Sequence, residues 1–159
     1  MLQEISQIGQ DNSKRMSILR ALKSVLLEEP NVAVFYSSLF QFRTGDTSFP
    51  THLVAAISYL VENGWTILLP SFTFSFCSGK AFDKYKSPSE TGILADLIFN
   101  NLIQAKRTNH PIYSFVVVGP QSDEVLSLQP KTTFGDGSPF EWVEKVDASI
   151  VLVGCGWES

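Results

Sequence analysis

The stretch Val32-Ala-Val-Phe-Tyr36, followed by Ser37-Ser-Leu-Phe-Gln-Phe-Arg-Thr-Gly45, decides the fold of this chain. Its first five residues are β-branched, aromatic or small and carry no charge, which is typical of a buried strand. The strand runs into a polar loop that a glycine closes. In open α/β sheets, ligands bind outside the carboxyl ends of strands, where such loops lead into helices. The backbone amides of Ser37, Ser38 and Leu39 are therefore the first candidates for binding a ligand.

A helix and a second apolar strand follow this loop. Ser48 or Thr51 is the candidate N-cap, Pro50 lies in the first turn, and Gly64 closes the helix in a C′ position. The stretch 65–69, Trp-Thr-Ile-Leu-Leu, is a second buried strand. A helix between two apolar strands indicates a βαβ unit, so we expect the two strands to be parallel neighbours.

The rest of the chain continues the alternation of helices and strands. Residues 1–14 are polar and have no clear period, so we assign them to an N-terminal lead-in, with residues 15–159 forming a single α/β domain. The pattern predicts a helix that ends before Pro30, and it predicts Ser122 as the cap of a later helix. The remaining predicted elements are helices over 18–26, 92–104, 122–128 and 139–145 and strands over 113–118 and 149–153.

Composition excludes several classes of protein. The chain has 159 residues, of which 44% are hydrophobic and 18% are charged, so it can bury a core. A net charge of −4 without a basic run argues against nucleic-acid binding. No apolar run is long enough to span a membrane, and no signal peptide is apparent. Cys77 and Cys155 lie far apart without a CxxC motif, which indicates a reducing, cytoplasmic setting.

Residues 70–91 form a long segment with little helical periodicity, and such loops in compact domains are usually functional. Residues 70–76, Pro-Ser-Phe-Thr-Phe-Ser-Phe, alternate aromatic and hydroxyl side chains. This alternation fits an edge strand, or a pocket wall that contacts a slim ligand arm with amide groups. Lys80, Lys84 and Lys86 are expected on a solvated face of the loop.

Several catalytic and binding motifs are missing from the sequence. There is no GxxxxGK[ST] loop, no complete GxGxxG and no GxSxG, and the two short glycine pairs, 135–137 and 154–156, are weak matches. His52 and His110 have no second ligand at helical spacing, so no metal is expected. Two interpretations of His110 stay open, a hydrogen-bonded turn residue or a contact to an anionic or polar ligand.

Six segments occur in an order that resembles the aminoglycoside 3-N-acetyltransferase family, which is unrelated to the GNAT fold. The resemblance covers roughly residues 20–159. The segments are Val34-Phe-Tyr-Ser-Ser-Leu39, Gly64-Trp-Thr-Ile-Leu-Leu-Pro-Ser-Phe-Thr73, Ser89-Glu-Thr-Gly92, Arg107-Thr-Asn-His-Pro-Ile-Tyr-Ser114, Phe134-Gly-Asp-Gly-Ser-Pro139 and Val151-Leu-Val-Gly-Cys-Gly-Trp-Glu-Ser159.

The resemblance implies a three-layer α/β/α sandwich with a mixed, largely parallel sheet. It implies acetyl transfer from acetyl-CoA, as co-substrate and without a metal, to an amine of an aminoglycoside, which is an antibiotic-resistance activity. The residues 37–39 would lie near the pantetheine arm and the thioester. Ser71, Thr73, Arg107 and His110 would flank the coenzyme channel, and the guanidinium of Arg107 would suit a phosphate or a carbonyl.

The resemblance also places the loop 74–91 at the acceptor pocket, where Asp83 and Glu90 would meet a polycationic substrate. A solvated position is the alternative for both acids. A homodimer is left open.

One departure from the family pattern matters. The family's catalytic His and Glu follow the Gly-Cys-Gly-Trp segment, and this chain ends at Ser159, before that motif. We therefore expect a C-terminally truncated acetyltransferase that holds the coenzyme arm but is poor or inert in turnover, and its catalytic residues stay unassigned. The alternatives are a non-catalytic CoA- or nucleotide-binding module and a small interaction domain of similar architecture.

Overall fold

A mixed five-stranded sheet forms the centre of the fold. The computed structural model describes the backbone of residues 2–26, 29, 31–42 and 47–157, and it describes side chains from residue 12 onward within these ranges, except at residue 41. The strands are β1 (Val32–Ser37), β2 (Thr66–Pro70), β3 (Lys106–Arg107), β4 (Phe115–Val118) and β5 (Ser149–Val153). They lie in the order β3-β4-β2-β1-β5.

Strand β1 pairs in parallel with β2 on one side and with β5 on the other. This confirms the prediction that β1 and β2 are parallel neighbours. The other two pairings, β2 with β4 and β4 with β3, are antiparallel. The sheet is therefore mixed, and its parallel part is the half that contains β1.

Within the described residues, five α-helices cover the two faces of the sheet and confirm the α/β/α architecture. The helices are α1 (Leu2–Val25), α2 (Phe49–Glu62), α3 (Ile93–Asn101), α4 (Ser122–Ser127) and α5 (Pro139–Lys145). Residues of α1, α2 and α3 pack on one face with Phe35 and Ile67, while residues of α4 and α5 pack on the other with Val34 and Leu68. Side chains alternate along a strand, so β1, β2 and β4 each supply both cores.

The helix ends follow the local sequence signals in most places. Ser48 occupies the N-cap position of α2, and Gly64 follows its C-cap with φ +93°. Ser138 caps α5, because its hydroxyl accepts a hydrogen bond from the Glu141 amide at 3.1 Å. The prediction that Ser122 caps α4 is wrong. Gln121 holds that position, and the Ser122 hydroxyl donates to the Gly119 carbonyl at 2.7 Å.

Other boundaries differ from the prediction. Helix α1 begins at Leu2, so the segment assigned to a polar lead-in is helical, and the domain division at residue 14 stays a prediction. The segment between the predicted helix over 92–104 and the predicted strand over 113–118 contains the short edge strand β3, and β4 begins at Phe115, two residues later than expected. Pro30 and the glycine-closed end of the first loop, residues 43–45, lie outside the described residues. Over the described residues, no helix has the length and apolar character needed to cross a membrane.

Candidate functional site

A groove of about 1190 Å³ lies at the carboxyl ends of β1, β2 and β5. Strand β1 and the turn after it contribute Tyr36, Ser37, Ser38 and Leu39 to its lining. The turn continues as a 3₁₀ helix, Leu39–Phe42, before the chain reaches α2. This is the edge of the sheet at which the sequence predicted a ligand site.

The groove opens because β1 and β2 separate before they end. Their pairing extends to Val34 opposite Leu68, whereas β1 stays paired with β5 as far as Ser37 opposite Val153. The Thr66 amide donates to the Asn31 carbonyl at 2.9 Å, so the amide of every second residue of β2 faces β1. Pro70 falls in this series and has no N–H to donate. The two strands therefore part at this position.

The residues 37–39 line the groove, but the three backbone amides are not equivalent. The Ser38 amide donates to the Val153 carbonyl at 2.9 Å and so belongs to the sheet. This corrects the expectation that it is available to a ligand. Ser38 itself still lines the groove, together with Ser37 and Leu39.

Gly154 supports this turn from β5. It has φ +67°, and a β-carbon on it would stand 2.5 Å from the Ser38 carbonyl oxygen and 2.6 Å from the ring of Phe42. Real β-carbons do not approach other atoms so closely, and the left-handed backbone also favours glycine. The glycine pair at 154–156 thus begins with a residue that lets the turn after β1 pack on β5.

The lining is mostly apolar and carries few charges. Phenylalanine, leucine and proline side chains form its walls, and hydroxyls come from Tyr36, Ser37, Ser38 and Thr91. Among the described lining residues, Glu90 is the one carboxylate, and none is lysine or arginine. The lining combines apolar walls with a small number of polar groups, as small-molecule sites usually do.

Two titratable side chains in the groove have shifted pKa values. A hydrogen bond to the Ser75 side chain, with further ones to backbone amides of Ser75 and Phe74, lowers the pKa of Glu90. The carboxylate accepts the Ser75 amide at 3.0 Å and stays ionised at neutral pH. Burial raises the pKa of Tyr36, so that phenol stays protonated.

Arg107 lies beside the groove and not in its lining, and it is only 5% exposed. Its Nε donates to the Ser114 hydroxyl at 2.9 Å, and one terminal nitrogen donates to the Thr73 hydroxyl at 2.8 Å. The terminal nitrogens also donate to the carbonyls of Ser71 and Ser87. The structure therefore brings Ser71, Thr73 and Arg107 together in a buried network of protein contacts, and their place beside a coenzyme channel stays a prediction.

A second set of contacts, which the sequence did not reveal, holds the other end of the long loop. Asp96 in α3 accepts the Ser89 amide with both carboxylate oxygens, at 3.0 and 3.1 Å. The Thr91 hydroxyl accepts the Phe72 amide at 3.2 Å and donates to the Pro70 carbonyl at 3.3 Å. The segment Ser89-Glu-Thr-Gly92, part of the family resemblance, was the available signal for these contacts.

His110 and Asp83 lie outside the lining of the groove. The Nδ1 atom of His110 accepts the amides of Ile112 at 3.1 Å and Tyr113 at 2.9 Å, as in the interpretation as a turn residue. Burial lowers its pKa, and accepting two amides requires that Nδ1 carry no proton. Asp83 accepts the Tyr85 amide at 2.8 Å and stabilises a turn in the loop.

The structure thus assembles Ser37, Ser38, Leu39 and Glu90 from the predicted set in one groove. Sequence reasoning missed other lining residues at the ends of β1 and β5, namely Tyr36, Leu152, Cys155 and Trp157. The apolar pattern of a buried strand hides these residues, because a side chain at the end of a strand looks the same whether it faces a core or a cavity.

Comparisons with known proteins agree with this architecture. The sequence profile of the family described as aminoglycoside 3-N-acetyltransferase matches residues 3–159. The SPbeta prophage-derived aminoglycoside N(3')-acetyltransferase-like protein YokD of Bacillus subtilis (strain 168) is 24% identical over 158 residues, which are 98% of this chain and 52% of YokD.

Solved structures show the same fold. The crystal structure of the aminoglycoside acetyltransferase AAC(3)-IVa, an apoenzyme, is 26% identical with a TM-score of 0.73, covering 89% of this chain and 54% of that one. AAC-IIIb in a binary complex with CoASH is 20% identical with a TM-score of 0.65, covering 82% of this chain and 56% of that one. The chain spans about half the length of these relatives. On the match over residues 3–159, this chain belongs to the aminoglycoside 3-N-acetyltransferase family.

Proposed function

We propose that this chain binds the pantetheine arm of acetyl-CoA in the groove and takes part in acetyl transfer to an amine of an aminoglycoside. The observation that carries the proposal is the groove itself, which opens where β1 and β2 part and is lined by residues 37–39. The family match and the fold shared with a CoASH-bound acetyltransferase support it.

The chemistry of the lining suits the arm. Pantetheine alternates methylene groups with amides, and the groove offers apolar walls with hydroxyls at intervals. The proposed donors to the thioester oxygen are the backbone amides of Ser37 and Leu39, together with the hydroxyls of Ser37 and Ser38. Donors fixed near an oxygen that gains negative charge stabilise the transition state of acyl transfer.

The acceptor amine is proposed to lie near Glu90. Aminoglycosides are polycations at neutral pH, and the lowered pKa of Glu90 keeps a negative charge in the groove for them. Asp83, the other acid predicted for the acceptor, lies outside the lining and already accepts the Tyr85 amide. Glu90 is therefore the preferred contact.

A non-catalytic coenzyme-binding module is the second candidate, and one observation favours it. An ammonium group must lose its proton before it can attack a thioester carbon, which needs a positioned base. Among the described lining residues there is no histidine, and His110 uses Nδ1 to accept two backbone amides. We assign no residue of this chain the role of the base.

Gly156 provides a direct test of the coenzyme site. It lines the groove, and a β-carbon on it would meet nothing within 4 Å. Gly156→Leu should therefore place a bulky side chain in the groove and lower the affinity for CoA in calorimetric titration, while the melting temperature without ligand stays the same. Gly156→Ala is the matched control and should bind CoA nearly as well as the wild type. Equal CoA affinity in the leucine variant would place the coenzyme elsewhere and overturn the proposal.

Turnover is tested separately by release of CoA thiol from acetyl-CoA in the presence of kanamycin. Release that depends on kanamycin, and that falls in Gly156→Leu, supports acetyl transfer by this chain. CoA binding without any release supports the non-catalytic module instead.

A further inference from the structure

We infer that Arg107 is a positioning residue, which shapes the groove by holding one of its walls and does not contact the coenzyme itself. The wall segment is defined here as residues 71–91, which run from the end of β2 towards α3. The inference rests on the proposed function, because it concerns the same groove.

The guanidinium ties both ends of the wall segment to the sheet. Near the first end it donates to the Ser71 carbonyl and to the Thr73 hydroxyl, and near the other end to the Ser87 carbonyl. The same group lies over the ring of Phe82, with 5.1 Å between its central carbon and the ring centroid. One side chain of the edge strand β3 therefore contacts the wall segment at its start, its middle and its end.

The wall segment in turn supplies part of the groove. Phe72, Phe74 and Glu90 all line it. The two phenylalanines flank Thr73, and Glu90 lies three residues after Ser87. The Glu90 amide donates to the Phe72 carbonyl at 2.8 Å, so the two ends of the segment are also joined to each other. A shift of the segment would move an aromatic wall and the one carboxylate of the described lining together.

The surroundings of Arg107 argue against a role as a phosphate ligand. It is 5% exposed, and its donors already point to the Ser114 hydroxyl and to three groups of the wall segment. Asp96 lies close enough to interact electrostatically with the positive charge of Arg107. In a phosphate site, the bound phosphate would balance that charge instead. Turning the buried guanidinium towards a ligand would be costly, because each carbonyl or hydroxyl that now accepts a hydrogen bond from it would lose its partner.

The experiment compares two probes, CoA and pantetheine, which share the arm but differ in the nucleotide and its phosphates. Arg107→Lys keeps a positive charge and loses the planar fork that reaches several acceptors at once. For a positioning residue, the substitution should weaken both probes by a similar factor, about tenfold or more in dissociation constant. The ratio of the CoA affinity to the pantetheine affinity should stay at its wild-type value.

Two further variants calibrate the result. Lys106→Gln removes the neighbouring cation of β3, which is exposed and pairs with Asp123 at 3.1 Å, and it should change neither affinity. Thr73→Val removes a single acceptor of the guanidinium with little change of volume, and it should produce a smaller loss of the same kind, again equal for both probes.

Limited trypsin digestion gives a readout independent of binding. The wall segment carries Lys80, Lys84 and Lys86, and cutting at these lysines reports its release from the sheet. Arg107→Lys should speed cleavage at these positions before the rest of the chain is cut, and CoA should slow it again. A loss of overall stability alone would instead expose all sites together.

Several outcomes would overturn the inference. A loss of CoA affinity in Arg107→Lys with unchanged pantetheine affinity would show a phosphate contact. Unchanged affinity of Arg107→Lys for both probes would also contradict the role of Arg107 in holding the wall segment. Wild-type protein that binds CoA and not pantetheine would contradict it as well. A wild-type chain that binds neither probe would refute the proposed function, which is a separate and recognisable result.

Discussion

Gly154 and Ser38 touch where the turn after β1 lies on the end of β5. A β-carbon at residue 154 would stand 2.5 Å from the Ser38 carbonyl oxygen, and the glycine has φ +67°. The amide of the same serine donates to the Val153 carbonyl at 2.9 Å. A hydrogen bond thus holds the turn that lines the groove against the neighbouring strand. The turn can pack this closely because residue 154 has no side chain.

Gly154→Ala should therefore destabilise the protein and disturb the groove. We expect a loss of about 1–3 kcal/mol in the free energy of unfolding, from left-handed backbone strain and the clash with the Ser38 carbonyl. Urea denaturation measures this loss, and CoA affinity should fall in the same variant. Gly156→Ala, where the added carbon meets open space, is the control. Similar stability of the two variants would contradict the close approach.

Ser114 should be important for stability because it is fully buried in the Arg107 network. Its hydroxyl accepts from the Arg107 Nε at 2.9 Å and donates to the Ser71 carbonyl at 2.6 Å. Ser114→Ala leaves a buried donor of a charged group without its partner, which should cost about 1–3 kcal/mol in urea denaturation. Ser127→Ala, at an exposed hydroxyl that bonds within α4, is the comparison and should change stability little.

His110 should make stability depend on pH. Burial lowers its pKa below the ordinary value of 6.5, so near that pH the unfolded chain binds a proton more readily than the folded one. The contribution of His110 to stability is then fully present above pH 6.5, and it decreases as the pH falls below that value. The slope should stay under the one-proton limit of about 1.4 kcal/mol per pH unit, because water screens the partly exposed ring.

The measurement is a series of melting curves between pH 8 and 5.5. His110→Asn keeps an acceptor oxygen near the two backbone amides and removes the titration, so its melting temperature should vary less over this range. A variant that loses stability on acidification as steeply as the wild type would assign the effect to other groups.

Leu68 and Ile103 provide a paired test of the core. Leu68 in β2 is fully buried in the cluster beneath α4 and α5, while Ile103 is fully exposed after α3. Leu68→Ala should lower the free energy of unfolding by about 2–5 kcal/mol, through lost burial and the cavity left behind. Ile103→Ala should leave it within about 0.5 kcal/mol. Comparable losses would contradict the burial of Leu68 in this cluster.

The first half of the fold could be predicted because its signals are local. The uncharged run in β1, the helical spacing in α2 and Gly64 at its end follow from neighbouring residues alone. The direction of β4 could not be predicted, since four buried apolar residues look alike in either orientation. The two-residue strand β3 is too short to show any period.

The candidate site was predictable in position more than in detail. The end of β1 was found because a loop between strand and helix marks the ligand edge of such sheets. The fate of the Ser38 amide depends on Val153, which is distant in the sequence and becomes a neighbour only in the folded sheet. The role of Arg107 could not be predicted for a similar reason, because an arginine that holds a loop by buried hydrogen bonds and one that binds a phosphate look the same in the sequence.

Pro70 has a consequence for ligand binding at the proposed site. A residue without an amide hydrogen stands where β2 would otherwise bond to β1, so the opening between the strands arises from the covalent structure of the chain. Such an opening exists before any molecule enters it, and little conformational entropy is lost on binding. Association should accordingly be fast and close to rigid-body docking, with the backbone on either side of the cleft nearly unmoved.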